Sequence, residues 1–76
     1  MAYSCYMDWN IEAKRVLRTE LVRRGITYRV LSEMLEKIGV IETERSIQGK
    51  IARGTFSFTF FLQCMKAIGA KKVELD

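Results

Sequence analysis

Polar and basic side chains surround a glycine in the segment "TERSIQGKIARGTFS", residues 43–57. The glycine is Gly49, and the side chains around it are those of Arg45, Ser46, Gln48, Lys50 and Arg53. Guanidinium, ammonium, amide and hydroxyl groups donate hydrogen bonds to phosphate oxygens and to the edges of bases. A glycine costs a helix about 1 kcal/mol relative to alanine, so its position among these groups needs a physical reason.

The helical repeat predicts which way this segment faces. Ile47 and Ile51 lie one turn apart, so we expect both to face the core. The opposite side then carries two residues with almost no side chain, Gly49 and Ala52, flanked by arginines. Such a strip would let another macromolecule approach closely while the arginines contact phosphates or guanine edges. The sequence leaves one alternative open, in which Gly49 allows close packing against another helix of the same chain.

A second candidate site for anions lies at residues 27–29. Free amide N–H groups at the start of a helix bind anions, and Tyr28 and Arg29 are placed to contact the same phosphate. Alternatively, Tyr28 packs at the rim of the core and Arg29 is a solvated charge. The preceding helix adds three basic residues, either as a solvated face or as a lateral phosphate contact: Lys14, Arg15 and Arg18.

Four helices are predicted to position these residues. Each one starts after a residue type that caps helices and stops before a glycine. The predicted spans are about 9–24, 28–38, 44–53 and 58–68, and the predicted N-caps are Asp8, Thr27, Thr43 and Ser57. These signals indicate an all-α fold, a compact bundle of four to five short helices.

Apolar residues at helical spacing predict the core. On the first helix they are Trp9, Ala13, Val16, Leu17 and Leu21, and on the second they are Val30, Leu31, Met34, Leu35 and Ile38. The fourth helix is apolar nearly all round, which predicts a buried central helix. Phe56 and Phe61 have the spacing of a hydrophobic staple at its start.

Length and composition limit the number of domains. The chain has 76 residues, of which 49% are hydrophobic, with five glycines and no proline. This is enough for one folded domain and no more. We expect a leader or arm at 1–7, a helical core at 8–70, and a tail or short strand at 71–76.

The charge balance and the small number of reactive side chains limit the kinds of function that the sequence predicts. Lys and Arg number 13 against 9 acidic residues, a mild basic excess that points weakly to a polyanionic partner. The chain has no histidine and only two cysteines, Cys5 and Cys64, so we expect no metal, no cofactor and no enzymatic activity. No small-molecule substrate is evident. We found no signal peptide and no membrane-spanning run, so a cytoplasmic protein without a membrane partner is expected.

Three segments carry a likeness to a known family: "GITYRVLS", "SIQGKIARGTFS" and "FFLQCMKAIGA". The pattern resembles the Cro/C1-type helix-turn-helix of lambda-repressor-like DNA-binding domains, over roughly residues 14–70. The chain is also similar to a small uncharacterised bacterial domain family with the segments "AKRVLRTEL" and "RGTFS…FFLQC".

The Cro/C1-type resemblance implies that the second helix positions the domain and the third enters the major groove. Tyr28 then takes the place of a phosphate-contacting glutamine. The stretch that faces bases and backbone is Arg45, Ser46, Gln48, Gly49 and Lys50. The sequence departs from that family in its longer "GVIE" link before Thr43, in the spacing of Ile47 and Ile51, and in Ala52, where the family commonly has a glutamate.

These patterns favour a transcriptional regulator that binds double-stranded DNA. Phosphate contacts would come from Lys14, Arg18, Tyr28, Arg29 and Arg53, and base contacts from Arg45, Ser46, Gln48 and Lys50. One such unit contacts few base pairs, so a homodimer with half-sites about 34 Å apart is expected. The alternatives are RNA binding and a protein-interaction module in which Gly49 and Ala52 receive a partner helix.

Overall fold

A computed structural model describes residues 8–75, and within that range it contains four helices and no strand. They are α1 (Trp9–Arg23), α2 (Tyr28–Lys37), α3 (Glu44–Arg53) and α4 (Phe58–Ile68). The prediction of a small all-α bundle is confirmed, and the predicted bounds agree to within one residue. Residues 71–75, predicted as a tail or short strand, form neither helix nor strand. The predicted leader at 1–7 lies outside the described residues.

All four predicted N-caps are confirmed. The Asp8 carboxylate accepts hydrogen bonds from the backbone N–H groups of Asn10 and Ile11, at 3.0 and 3.3 Å. In the other helices the cap hydroxyl accepts from the N–H three residues later: Thr27 from Val30, Thr43 from Ser46, and Ser57 from Phe60. The staple before α4 is also present, because the Phe56 and Phe61 rings stack with centroids 6.4 Å apart. Local sequence signals therefore determine where each helix starts.

Gly54, at the end of α3, is required for two reasons. Its φ of 69° lies in the left-handed region, which is unfavourable for residues that have a Cβ atom. A Cβ at this position would also lie 2.1 Å from the backbone oxygen of Asn10. The absence of a side chain thus lets the end of α3 approach the start of α1 backbone to backbone.

α1 and α3 pack antiparallel. Beyond the Asn10 contact, the Lys14 ammonium donates to the carbonyl of Ala52 at 3.4 Å, where its charge complements the negative end of the α3 dipole. Towards the other end, Arg18 lines a groove together with Tyr28 and Glu44. The starts of α2 and α3 therefore lie together beside the second half of α1.

The core combines buried side chains from every helix: Leu17, Leu21, Leu31, Leu35, Ile47, Ile51, Phe60, Cys64, Met65 and Ile68. The inward prediction for Ile47 and Ile51 is confirmed, because neither side chain is exposed. Cys64 is buried as predicted. None of the helices in the described part of the chain is long and apolar enough to cross a membrane.

Four core predictions are wrong. Trp9 is 72% exposed and so does not belong to the inner face of α1. Val30 and Ile38 are 37% and 44% exposed and so do not belong to the buried stripe of α2. α4 is not buried all round, since Phe58 is 71% and Leu62 52% exposed. The physical reason for α4 is its packing, which is chiefly against α2 and leaves the far side of the helix uncovered.

Candidate nucleic-acid interface

Gly49 faces outward from α3. Apart from the Arg53 guanidinium, no heavy atom of the described chain outside the local helix backbone lies within 4 Å of where a Gly49 Cβ would stand. The nearer guanidinium nitrogen, Nη1 of Arg53, is 3.4 Å from that point. The outward prediction is confirmed, and the alternative of close packing against another helix is wrong.

Arg45 and Gln48 lie beside this opening. Both are exposed, and neither side chain makes a hydrogen bond or ion pair with any residue in the described range. Ala52 is exposed on the same side. We call these five residues the α3 outer face: Arg45, Gln48, Gly49, Ala52 and Arg53. It combines a shallow strip with hydrogen-bond donors on its two flanks.

Ser46 and Lys50 are turned to a different side of α3. The Ser46 hydroxyl donates to Oε1 of Glu42 at 2.8 Å, and the Lys50 ammonium donates to Oε2 of the same carboxylate at 2.6 Å. The Lys50 nitrogen also lies 4.8 Å from the centroid of the Phe60 ring. Of the residues predicted to contact bases, these two are therefore engaged within the protein and do not join the α3 outer face.

Glu42 is the residue that the sequence reasoning missed. Its side chain is only 18% exposed, although it lies in the link between two helices. Its carbonyl accepts a hydrogen bond from the Ser32 hydroxyl of α2, so Glu42 joins the α2–α3 link to both helices. The hydrogen bonds from Lys50 and then Ser46 lower the pKa of its carboxyl group. Glu42 precedes the N-cap Thr43, whose backbone is extended, so helical periodicity gave no signal for its contacts with Ser46 and Lys50.

The start of α2 opens onto a groove of about 350 Å³. The Tyr28 ring is half-buried against the core and lines this groove with Arg18 and Glu44. Arg29 is highly exposed, and its Nε lies 3.9 Å from a carboxylate oxygen of Glu33, an exposed pair of little energetic value. The ring of Tyr28 thus packs at the core rim, while Arg29 is available to an external anion.

The three basic residues of α1 differ in their surroundings. Lys14 is held at the end of α3, and Arg15 forms an ion pair with Glu12 at 2.6 Å. Arg18 is exposed and lies in the groove beside the start of α2. The two helix starts and Arg18 therefore form one surface, which is continuous with the N-terminal part of the α3 outer face.

Comparisons with known proteins give a family and no activity. A search of curated proteins and a search of solved structures each found no match. A protein-family model matches residues 9–73, a range that includes all four helices. The chain therefore belongs to the family described as "Domain of unknown function (DUF6471)".

Proposed function

We propose that the protein is a sequence-specific DNA-binding domain of a transcriptional regulator. In this proposal α2 and α3 act as a helix-turn-helix, and the α3 outer face enters the major groove. The observation that carries the proposal is that, among the described residues, only the flexible end of Arg53 covers Gly49, while the side chains of Arg45 and Gln48 beside it make no hydrogen bond or ion pair.

The base contacts follow from side-chain chemistry. A guanidinium group donates two hydrogen bonds to O6 and N7 of guanine, and a side-chain amide pairs with N6 and N7 of adenine. On the α3 outer face we assign these base contacts to Arg45 and Gln48, and we assign the second guanidinium group, that of Arg53, to a phosphate. Gly49 follows Gln48 in α3. Because Gly49 has no side chain, the α3 backbone can come close there to a base edge or a thymine methyl group.

The phosphate contacts come from the surface formed by the helix starts. In helix-turn-helix docking the first helix crosses the phosphate backbone while the second contacts bases. We expect Arg18, Tyr28 and Arg29 to contact that phosphate backbone, with the free N–H groups at the start of α2 adding a partial positive charge. Arg53 would leave Gly49 and contact a phosphate at the other end of α3.

Ser46 and Lys50 take a supporting role in this proposal. Their bonds to Glu42 hold one side of α3 against the α2–α3 link. Since a rigid element positions its contacting side chains better than a mobile one, the two residues serve the interface by orienting Arg45 and Gln48.

The test is a titration with duplex DNA at two salt concentrations. Binding should weaken steeply as salt rises, because each phosphate engaged releases counterions. Arg45→Ala should change the preferred sequence, whereas Arg29→Ala should weaken binding to all sequences alike. Lys37→Ala is the matched control, since it removes one charge at the far end of α2 and should change affinity little.

Gly49→Ala separates the interface from the fold. The added methyl meets only the flexible end of Arg53, so stability should hold or rise by up to about 1 kcal/mol while DNA affinity falls. Unchanged DNA affinity would contradict a close approach at Gly49. The absence of DNA binding at low salt would overturn the proposed function, and salt-insensitive binding of a protein at this face would favour a partner helix instead.

A further inference from the structure

An apolar groove of about 470 Å³ lies where α1 and α4 begin. Among the described residues, none of the side chains that line it carries a charge, and they include Ala13, Val16, Phe56, Phe58, Val73 and Leu75. The starts of α2 and α3 lie at the other end of the antiparallel α1–α3 pair. The groove is therefore separate from the surface proposed to contact DNA.

Large exposed side chains project around this groove. Phe58 and Leu75 are 71% and 66% exposed, and Trp9, 72% exposed, lies one turn before Ala13 on the same side of α1. Because an aromatic side chain buries about 150–250 Å², these residues present an apolar area of roughly 400 Å². An apolar patch of that size commonly marks a binding site. It is about half of the roughly 800 Å² that each partner buries in a standard interface, so a dimer formed through this face should be weak.

We propose that this apolar groove is the interface of a homodimer, with a second copy of the chain as its occupant. The face holds both a recess, floored by Ala13 and Val16, and projecting rings, those of Phe58 and Trp9. Two copies related by a twofold axis can each insert a ring into the other's recess, which is the self-complementary form that such an interface needs. Because the described residues that line the groove are uncharged, the groove does not favour an oppositely charged partner. A second copy of the same uncharged face fits it.

The dimer leaves the starts of α2 and α3 uncovered in both copies. It is inferred from the apolar face alone and does not depend on the proposed function. The experiment is therefore done without DNA, so that failure of either proposal leaves the other standing.

The experiment combines sedimentation equilibrium with tryptophan fluorescence on the full chain. Trp9 is the only tryptophan, so its emission reports on this face. Over about 1 μM to 1 mM, the range of weak association, we expect a monomer–dimer equilibrium. The Trp9 emission should shift to shorter wavelength in step with the dimer fraction.

Two charge-introducing variants should weaken the dimer at least about tenfold, or about 1.4 kcal/mol. Phe58→Asp puts a carboxylate in the first turn of α4, where the helix dipole favours it, so the fold should be kept. Leu75→Asp lies in the tail and leaves every helix intact. Ile41→Asp is the matched control, because Ile41 is equally exposed on the α2–α3 link, outside the groove.

Three results would overturn the proposal. The first is a monomer at every concentration with the emission of an exposed tryptophan. The second is a monomer whose Trp9 emission is already shifted at the lowest concentration, which would mean that the chain itself covers the face. The third is a dimer that Phe58→Asp and Leu75→Asp leave as tight as Ile41→Asp does.

Discussion

Gly49 and Gly54 differ in what surrounds the missing side chain. Gly49 has an ordinary helical backbone and only the end of Arg53 nearby, so the fold does not require a glycine there. Gly54 has a left-handed backbone and lies against the Asn10 carbonyl, so the fold does require one. A glycine that the fold does not require is the better candidate for a role in binding.

The Gly54→Ala substitution should destabilise the protein by at least about 3 kcal/mol, because backbone strain and a backbone clash act together. Gly39→Ala is the matched control. Gly39 also has a positive φ, of 88°, but open space around its missing side chain, so this change should cost only about 1 kcal/mol. Urea unfolding of both variants measures the difference. Equal losses would mean that the α1 contact contributes nothing beyond the strain.

The α2–α3 link supplies hydrogen bonds that join it to both helices. The "GVIE" segment places Glu42 next to the cap of α3. There its carboxylate accepts hydrogen bonds from Ser46 and Lys50, and its carbonyl accepts one from Ser32. The length of this link thus has a structural role in this chain. The link fixes one side of α3 by hydrogen bonds.

The Glu42→Gln substitution should lower the free energy of unfolding by about 1–2 kcal/mol near neutral pH, because it removes a charged hydrogen-bond acceptor. The pKa of Glu42 is lower in the folded chain than its usual value of 4.5. Its contribution is therefore complete above that value and is lost as the pH falls through the folded pKa. Urea unfolding of wild type and variant should give a gap at about pH 7 that narrows at about pH 3.

Glu12→Gln is the control for this pH dependence. Glu12 also has a lowered pKa, caused chiefly by its hydrogen bond to Arg15, but that pair lies on the surface of α1. Its loss should change stability less than the loss of Glu42, since exposed ion pairs contribute little. A Glu42→Gln gap that stays constant with pH would contradict a role for the ionised carboxylate.

The helices themselves were largely predictable from sequence. Caps such as Thr43 and stops such as Gly54 act on adjacent backbone groups, so local residues carry the information. The buried arc of α4 was not predictable, because the exposure of Phe58 depends on which neighbours pack against the helix. The direction of Lys50 was missed for a related reason. Its partner Glu42 lies in a link whose path sequence periodicity does not describe.

At the scale of the whole molecule, Cys64 reports on opening of the core. Its side chain is fully buried among residues of the core cluster. Burial is the largest cause that raises the pKa of its thiol to about 12, and the nearby Glu42 carboxylate adds to the rise. The reactive thiolate is therefore scarce in the folded protein.

A Cys5→Ser variant isolates this thiol, since Cys5 is the only other cysteine of the sequence. We expect its reaction with a thiol reagent at about pH 8 to be slow in native buffer, because it requires unfolding of the core. The rate should rise with urea in proportion to the unfolded fraction measured by circular dichroism. A native rate equal to that of a free thiol would contradict the buried position of Cys64.

The contact between Gly54 and Asn10 imposes a one-sided limit on how relatives of this chain can diverge. It involves the backbone at residue 10 and the missing side chain at residue 54. Any amino acid can supply the carbonyl oxygen, but only glycine leaves room for it. Residue 10 can therefore change without affecting this contact, whereas residue 54 must remain glycine, although the two residues touch.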